Sequence, residues 1–116
     1  MNTTGFPSPA QGYEEKTLDF NSILIKHPAA TFCMKYTGRN MASCGILHGD
    51  ILVVDCSEYP AAEKIAVVGT AHGDFRCVKL EADSAAGKQF RYADEQGAYH
   101  AVVQLFGIVT AVVRCL

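Results

Sequence analysis

The stretch TGRNMASCGILHGDILVVD, Thr37 to Asp55, decides how this chain is read. Its last five residues, Ile51 to Asp55, are apolar and β-branched, which suits a buried strand. Gly49-Asp50 just before them is a turn pair, since glycine supplies the backbone freedom that a tight turn needs. The pair is expected to set the bend into ILVVD, not to bind phosphate.

Working outward, the same pattern repeats. Thr31 to Tyr36 (TFCMKY) predicts a strand ending near Gly38. Ile65 to Thr70 (IAVVGT) and Phe75 to Leu80 (FRCVKL) predict two more, joined by a His72-Gly73-Asp74 hairpin turn. Phe90 to Tyr92 and Tyr99 to Gln104 flank a turn at Asp94 to Gly97. Leu105 to Val113 (LFGIVTAVV) closes the chain, with the run from Phe106 to Val113 expected to serve both core and dimer surface. Only Thr17 to His27 reads as helical; Asp19 or Asn21 is expected to cap it and Pro28 to stop it. Many short strands with one short helix imply a mainly β domain. Met1 to Lys16 is rich in small and turn-forming residues, with Pro7 and Pro9 opposing helix, and reads as a flexible arm ahead of a β-rich domain at residues 17–116.

Composition bounds the function. With 116 residues, 49% hydrophobic and 19% charged, the chain suffices for one small domain with a real core. A net charge of −2 argues against a broad basic face gripping nucleic acid, so a role near DNA would run through protein partners. Lys88, Arg91 and Arg114 form no recognisable patch. The five cysteines include no CxxC pair, and the four histidines show no ligand spacing, so no metal or cofactor is expected. Unpaired thiols, with neither an apolar leader at the start nor a run approaching the roughly 20 apolar residues of a membrane helix, make a cytoplasmic protein the default.

Three stretches together resemble the LexA/UmuD peptidase family. GFPSPA at Gly5 to Ala10, followed by IKHPAATFCMK at Ile25 to Lys35, is the most particular to UmuD. Thr37 to Asp55 follows the pattern Gly, two residues, Met, then Ile-x-x-Gly-Asp into an apolar strand and Asp. GDFRCVKL at Gly73 to Leu80, with LFGIVTAVV, completes the likeness, which spans nearly the whole chain.

The resemblance implies the family's β-rich peptidase fold and a Ser-Lys dyad that cuts the protein's own N-terminal arm. In that family a serine just before the Met is the nucleophile, and a lysine in a Phe-x-x-Lys-(Lys/Arg)-Leu pattern is the base. A hydroxyl needs a proton acceptor to become a nucleophile, and a lysine accepts only when burial leaves it neutral. Here the residue before Met41 is Asn40. Aligning Phe75 and Leu80 places Val78 at the base position. Lys79 follows, and strand alternation is expected to turn it away from the dyad position. Ser43 and Cys44 are weaker stand-ins. The GFPSPA segment, which follows the cut in UmuD, starts here at Gly5, so the chain is expected to be made at about the processed length.

The expectation is therefore a non-catalytic, UmuD′-like accessory subunit of a UmuC-type Y-family translesion polymerase in SOS mutagenesis. It would act as a homodimer and meet the RecA filament as well as the polymerase. Two alternatives stay open: a cleavage-dead regulator that pairs with full-length UmuD or a related SOS protein, and a residual self-processing serine peptidase.

Overall fold

A computed structural model describes residues 19–83 and 89–116. The expected arm at 1–16 lies outside the described residues. The elements are helix α1 (Phe20–Leu24) and strands β1 (Thr31–Lys35), β2 (Ile51–Asp55), β3 (Ile65–Gly69), β4 (Phe75–Lys79), β5 (Glu81–Ala82), β6 (Phe90–Ala93), β7 (Tyr99–Ala101) and β8 (Leu105–Val113). The mainly β expectation holds, and β2 and β8 have the bounds read from sequence.

Asp19 caps α1: its Oδ1 accepts from the Asn21 N–H at 3.0 Å, satisfying a donor the helix leaves orphaned. The expected stop at Pro28 is corrected. The helix ends at Leu24, with Ile25 already extended, and Pro28 instead opens a 3₁₀ turn, Pro28–Ala30. Proline is suited to that first position because its missing N–H would have had no partner. The strand expected over Tyr99 to Gln104 is also shorter. It stops at Ala101, and the Gln104 carbonyl accepts from Gly69 N at 2.9 Å as the chain crosses to the other sheet.

β1-β2-β8-β3-β4 form one antiparallel sheet and β5-β6-β7 a second. Strand β8 is long enough to serve two neighbours. Ile108 to Val113 pair with β2, and Leu105 to Ile108 pair with β3. A register shift interrupts each pairing, at Val53/Val54 and at Val67/Val68. Such bulges sharpen strand twist, so the sheet coils. Gly107 lies in this crossover, where a Cβ would meet Val54 Cγ1 at 2.7 Å; only glycine lets the strands approach this closely.

Alternation on the twisted sheet divides the core. Val67, Leu52 and Val54 pack with Tyr36, Met41, Ile46 and Cys77 on one side. Ala66, Val68 and Ile108 pack with Val78, Leu80 and Tyr92 on the other, towards the smaller sheet. Burying each such valine or leucine side chain contributes about 1.5–3 kcal/mol relative to leaving it in water. Both hairpins follow the sequence reading. The β3–β4 turn places Gly73 at φ 86°, and in the β6–β7 turn Asp94 Oδ1 accepts from the Gln96 and Ala98 N–H groups, both at 2.9 Å.

Two buried carboxylates tie loops to this frame. Asp50 is 1% exposed. It takes two charge-assisted bonds from Arg114, Nε to Oδ1 and Nη2 to Oδ2, both 2.7 Å, and one from Leu47 N at 2.8 Å. The Gly49-Asp50 pair thus sets the bend into β2, as its sequence implied, and also clamps the end of β8. Asp55 accepts from the Ser57 hydroxyl at 2.6 Å and from Ser57 N at 2.8 Å, and its other oxygen meets His27 Nδ1 at 2.6 Å.

Candidate functional site

A groove of about 450 Å³ lies between the two outer strands of the coiled sheet. Met34 and Tyr36 border it from the β1 side, Phe75 and Cys77 from the β4 side, and Leu52 and Val67 lie along it. Lys35, Arg39, Arg76 and Glu95 supply its charges, the last two joined as an ion pair. The two sheet edges approach each other because the bulged central strand coils the sheet between them.

Asn40 spans this groove. Its Nδ2 donates to the Cys77 carbonyl on β4 at 2.9 Å. Its Oδ1 accepts from the Tyr36 hydroxyl at 2.5 Å. That hydroxyl in turn accepts from Met41 N at 3.1 Å. Tyr36 is itself in the core, so its phenolic oxygen is a polar handle that needs partners. One carboxamide thereby joins the connection after β1 to β4 with a donor and an acceptor that a serine hydroxyl is too short to present together.

The sequence-singled positions fall out as follows. Asn40 reaches the carbonyl of Cys77, the residue before Val78, but the Val78 side chain lies in the other core cluster, so the structure does not bring the two side chains together. The Val78 side chain is 2% exposed and lies among Ala66, Val68, Leu80, Tyr92 and Ile108. Met41 is buried in the other cluster, with Tyr36 and Cys77. Lys79 takes the opposite face of β4 from Val78 and is half exposed, its Nζ 2.8 Å from Glu63 Oε2. Glu63 is placed for this by a left-handed backbone, φ 76°, held by its N–H to the Leu80 carbonyl at 2.8 Å. The hydrogen bond and charge of Glu63 raise the Lys79 pKa, with a smaller contribution from Cys44, so the amine stays protonated at neutral pH.

Ser43 and Cys44 lie in an exposed 3₁₀ turn, Ala42–Cys44, closed by Gly45 at φ 83°. The thiol facing the groove is Cys77, and burial pushes its pKa up to about 12, with a lesser push from Cys44. A thiol in that state is a small apolar group, not a nucleophile. Sequence reasoning missed Tyr36 as the partner of Asn40. The signal available was a tyrosine four residues before a polar residue in an otherwise apolar connection, which is weak alone.

Among the described residues no helix is long and apolar enough to cross a membrane.

Residues 1–94 match the family described as Peptidase S24-like. SamA of Salmonella typhimurium is 36% identical over 110 residues, which cover 95% of this chain and 78% of SamA. ImpA of Escherichia coli is 45% identical over 76 residues, 66% of this chain and 52% of ImpA. MucA of Escherichia coli is 40% identical over 78 residues, 67% of this chain and 53% of MucA. The matched stretch thus spans about half the length of ImpA and of MucA. A coiled antiparallel sheet with Asn40 at the turn after β1 and Val78 on β4, matched over most of its length by these relatives, places the chain in the Peptidase S24-like family as a UmuD-like member.

Proposed function

We propose that this protein is a non-catalytic accessory subunit of a UmuC-type Y-family translesion polymerase, working as a homodimer in SOS mutagenesis. One observation carries the reading: the nucleophile position of a peptidase scaffold holds a carboxamide committed to Tyr36 and the Cys77 carbonyl. A carboxamide nitrogen is delocalised into its carbonyl, and its N–H protons are too weakly acidic for a side-chain base to remove, so it does not replace an activated hydroxyl. The base position carries an isopropyl group in a packed core, and the neighbouring amine is held charged by Glu63. Neither half of a Ser-Lys dyad is supplied at the matched positions. What the scaffold retains is a groove, a coiled sheet and exposed apolar side chains, which are means of binding.

Kinship with SamA, ImpA and MucA supports the SOS assignment. The apolar side chains of Leu47 and Val113 line one shallow depression and are 45% and 40% exposed, which supports a dimer surface at the end of β8. The polymerase and the RecA filament are the partners of this reading, and pairing with a full-length UmuD would use the same dimer surface.

Co-expression with a UmuC-type polymerase tests it. The subunit reading expects a complex that survives purification and damage-induced mutagenesis that is lost on deletion. Mixed dimers with full-length UmuD and no polymerase complex would move the assignment to a regulator.

A further inference from the structure

Outside the groove, the fold assembles a second polar cluster that linear spacing conceals. His27 lies between α1 and β1, and Asp55 ends β2, 28 residues later. Glu58 follows in the connection to β3. One side-chain ligand atom from each lies within 4.8 Å of the others. Asp55 is 3% exposed. A buried carboxylate is costly without hydrogen bonds, and Ser57 provides two to one oxygen, leaving the other turned to His27. Among the described residues Glu58 has only a long contact, 3.9 Å, with Lys64 Nζ. Asp55 and Glu58 also line a cavity of about 210 Å³ against Ile23, Leu24, Thr110 and Ala111, enough for solvent to complete a coordination shell. Lys26 borders the same cavity and is exposed, and its long flexible stem lets the ammonium stay in water.

We propose that His27, Asp55 and Glu58 bind a divalent transition cation of the Zn²⁺ class, pinning the segment that leaves α1 to the end of β2. One imidazole nitrogen and two carboxylate oxygens form the donor set of a borderline cation with open positions for water, whereas Mg²⁺ and Ca²⁺ prefer oxygen alone. The cation takes the place of the hydrogen bond between His27 Nδ1 and Asp55 Oδ2. Ser57 is the outer support: with its N–H and hydroxyl on Oδ1, it fixes the carboxylate so that Oδ2 faces the imidazole.

Calorimetric titration of the full chain with ZnCl₂, and absorption titration with Co²⁺, test the site. The expected result is one Zn²⁺ per chain, a rise in thermal midpoint with Zn²⁺, and no binding of Mg²⁺ at the same concentration. Glu58→Gln leaves the metal-free midpoint unchanged, because the Asp55 bonds remain, and weakens Zn²⁺ by at least about tenfold, the loss already typical of removing an outer support. The Co²⁺ spectrum shows no thiolate charge-transfer band. Absence of Zn²⁺ binding overturns the proposal. So does binding that survives Glu58→Gln and disappears when the exposed Cys33, Cys44, Cys56 and Cys115 are replaced by serine.

Discussion

Replacing Asn40 by alanine removes the bridge across the groove. Two hydrogen bonds go: the donor to the Cys77 carbonyl and the acceptor for the Tyr36 hydroxyl. A typical intramolecular hydrogen bond contributes about 1 kcal/mol net. The part-buried partners left behind regain only some solvent, so the loss is about 2 kcal/mol. For a domain near this size about 1 kcal/mol moves the thermal midpoint by about 4 °C, so Asn40→Ala lowers it by roughly 8 °C at fixed protein concentration. A double-mutant cycle isolates the polar contact. Tyr36→Phe removes the hydroxyl, and combining it with Asn40→Ala gives a coupling of about 1 kcal/mol, because the bond they share is lost only once. Chemical unfolding of the four proteins measures it. A midpoint unchanged in Asn40→Ala, or additive single losses, would refute the idea that this residue is a structural strut at the nucleophile position.

Three further outcomes follow from the same frame. Arg114 first, then the Leu47 amide, holds Asp50 at about 2, while Ser57 first, then His27, holds Asp55 at about 2, both from an ordinary 3.8. Carboxylates depressed on folding stabilise above their unfolded value, so stability is flat from neutrality to about pH 5 and falls as pH drops from about 4 towards 2. Arg114→Gln moves the acid-unfolding midpoint upward, read by circular dichroism. Gly107→Ala destabilises by about 1–3 kcal/mol in urea, since the new methyl meets Val54 and the Asp55 carbonyl in a packed core, whereas Gly69→Ala meets the Gln104 side chain, whose amide end makes the tightest contact and can move, and costs less. Val78→Ala costs about 2 kcal/mol, two buried methyl groups plus a cavity, and Val78→Lys costs more, because an amine at that position enters an apolar cluster.

Local signals made the strands legible. ILVVD and LFGIVTAVV lie between turn residues and carry β-branched side chains, and both strands have the limits that reading assigned. The helix end was misplaced because the Asp19 cap starts a helix whose length depends on tertiary contacts, which a nearby proline does not reveal. The same gap separates the sites. Asn40 and Val78 are legible from motif position alone, whereas the reach of Asn40 to the Cys77 carbonyl and the placing of Val78 in the other core cluster depend on the folded sheet. The clamps Asp50–Arg114 and His27–Asp55 link residues 64 and 28 apart, pairings that no periodicity encodes. Arg114 looked like an unclustered surface charge until the end of β8 was seen beside the turn before β2.

The non-catalytic reading is tested most directly by incubating the purified chain with activated RecA and an uncut, full-length UmuD whose own nucleophile has been removed. With a carboxamide and an isopropyl group at the dyad positions, the substrate stays intact at all times. Accumulation of the shortened product, abolished by Cys44→Ala, Ser43→Ala or Lys79→Ala in this chain, would contradict it.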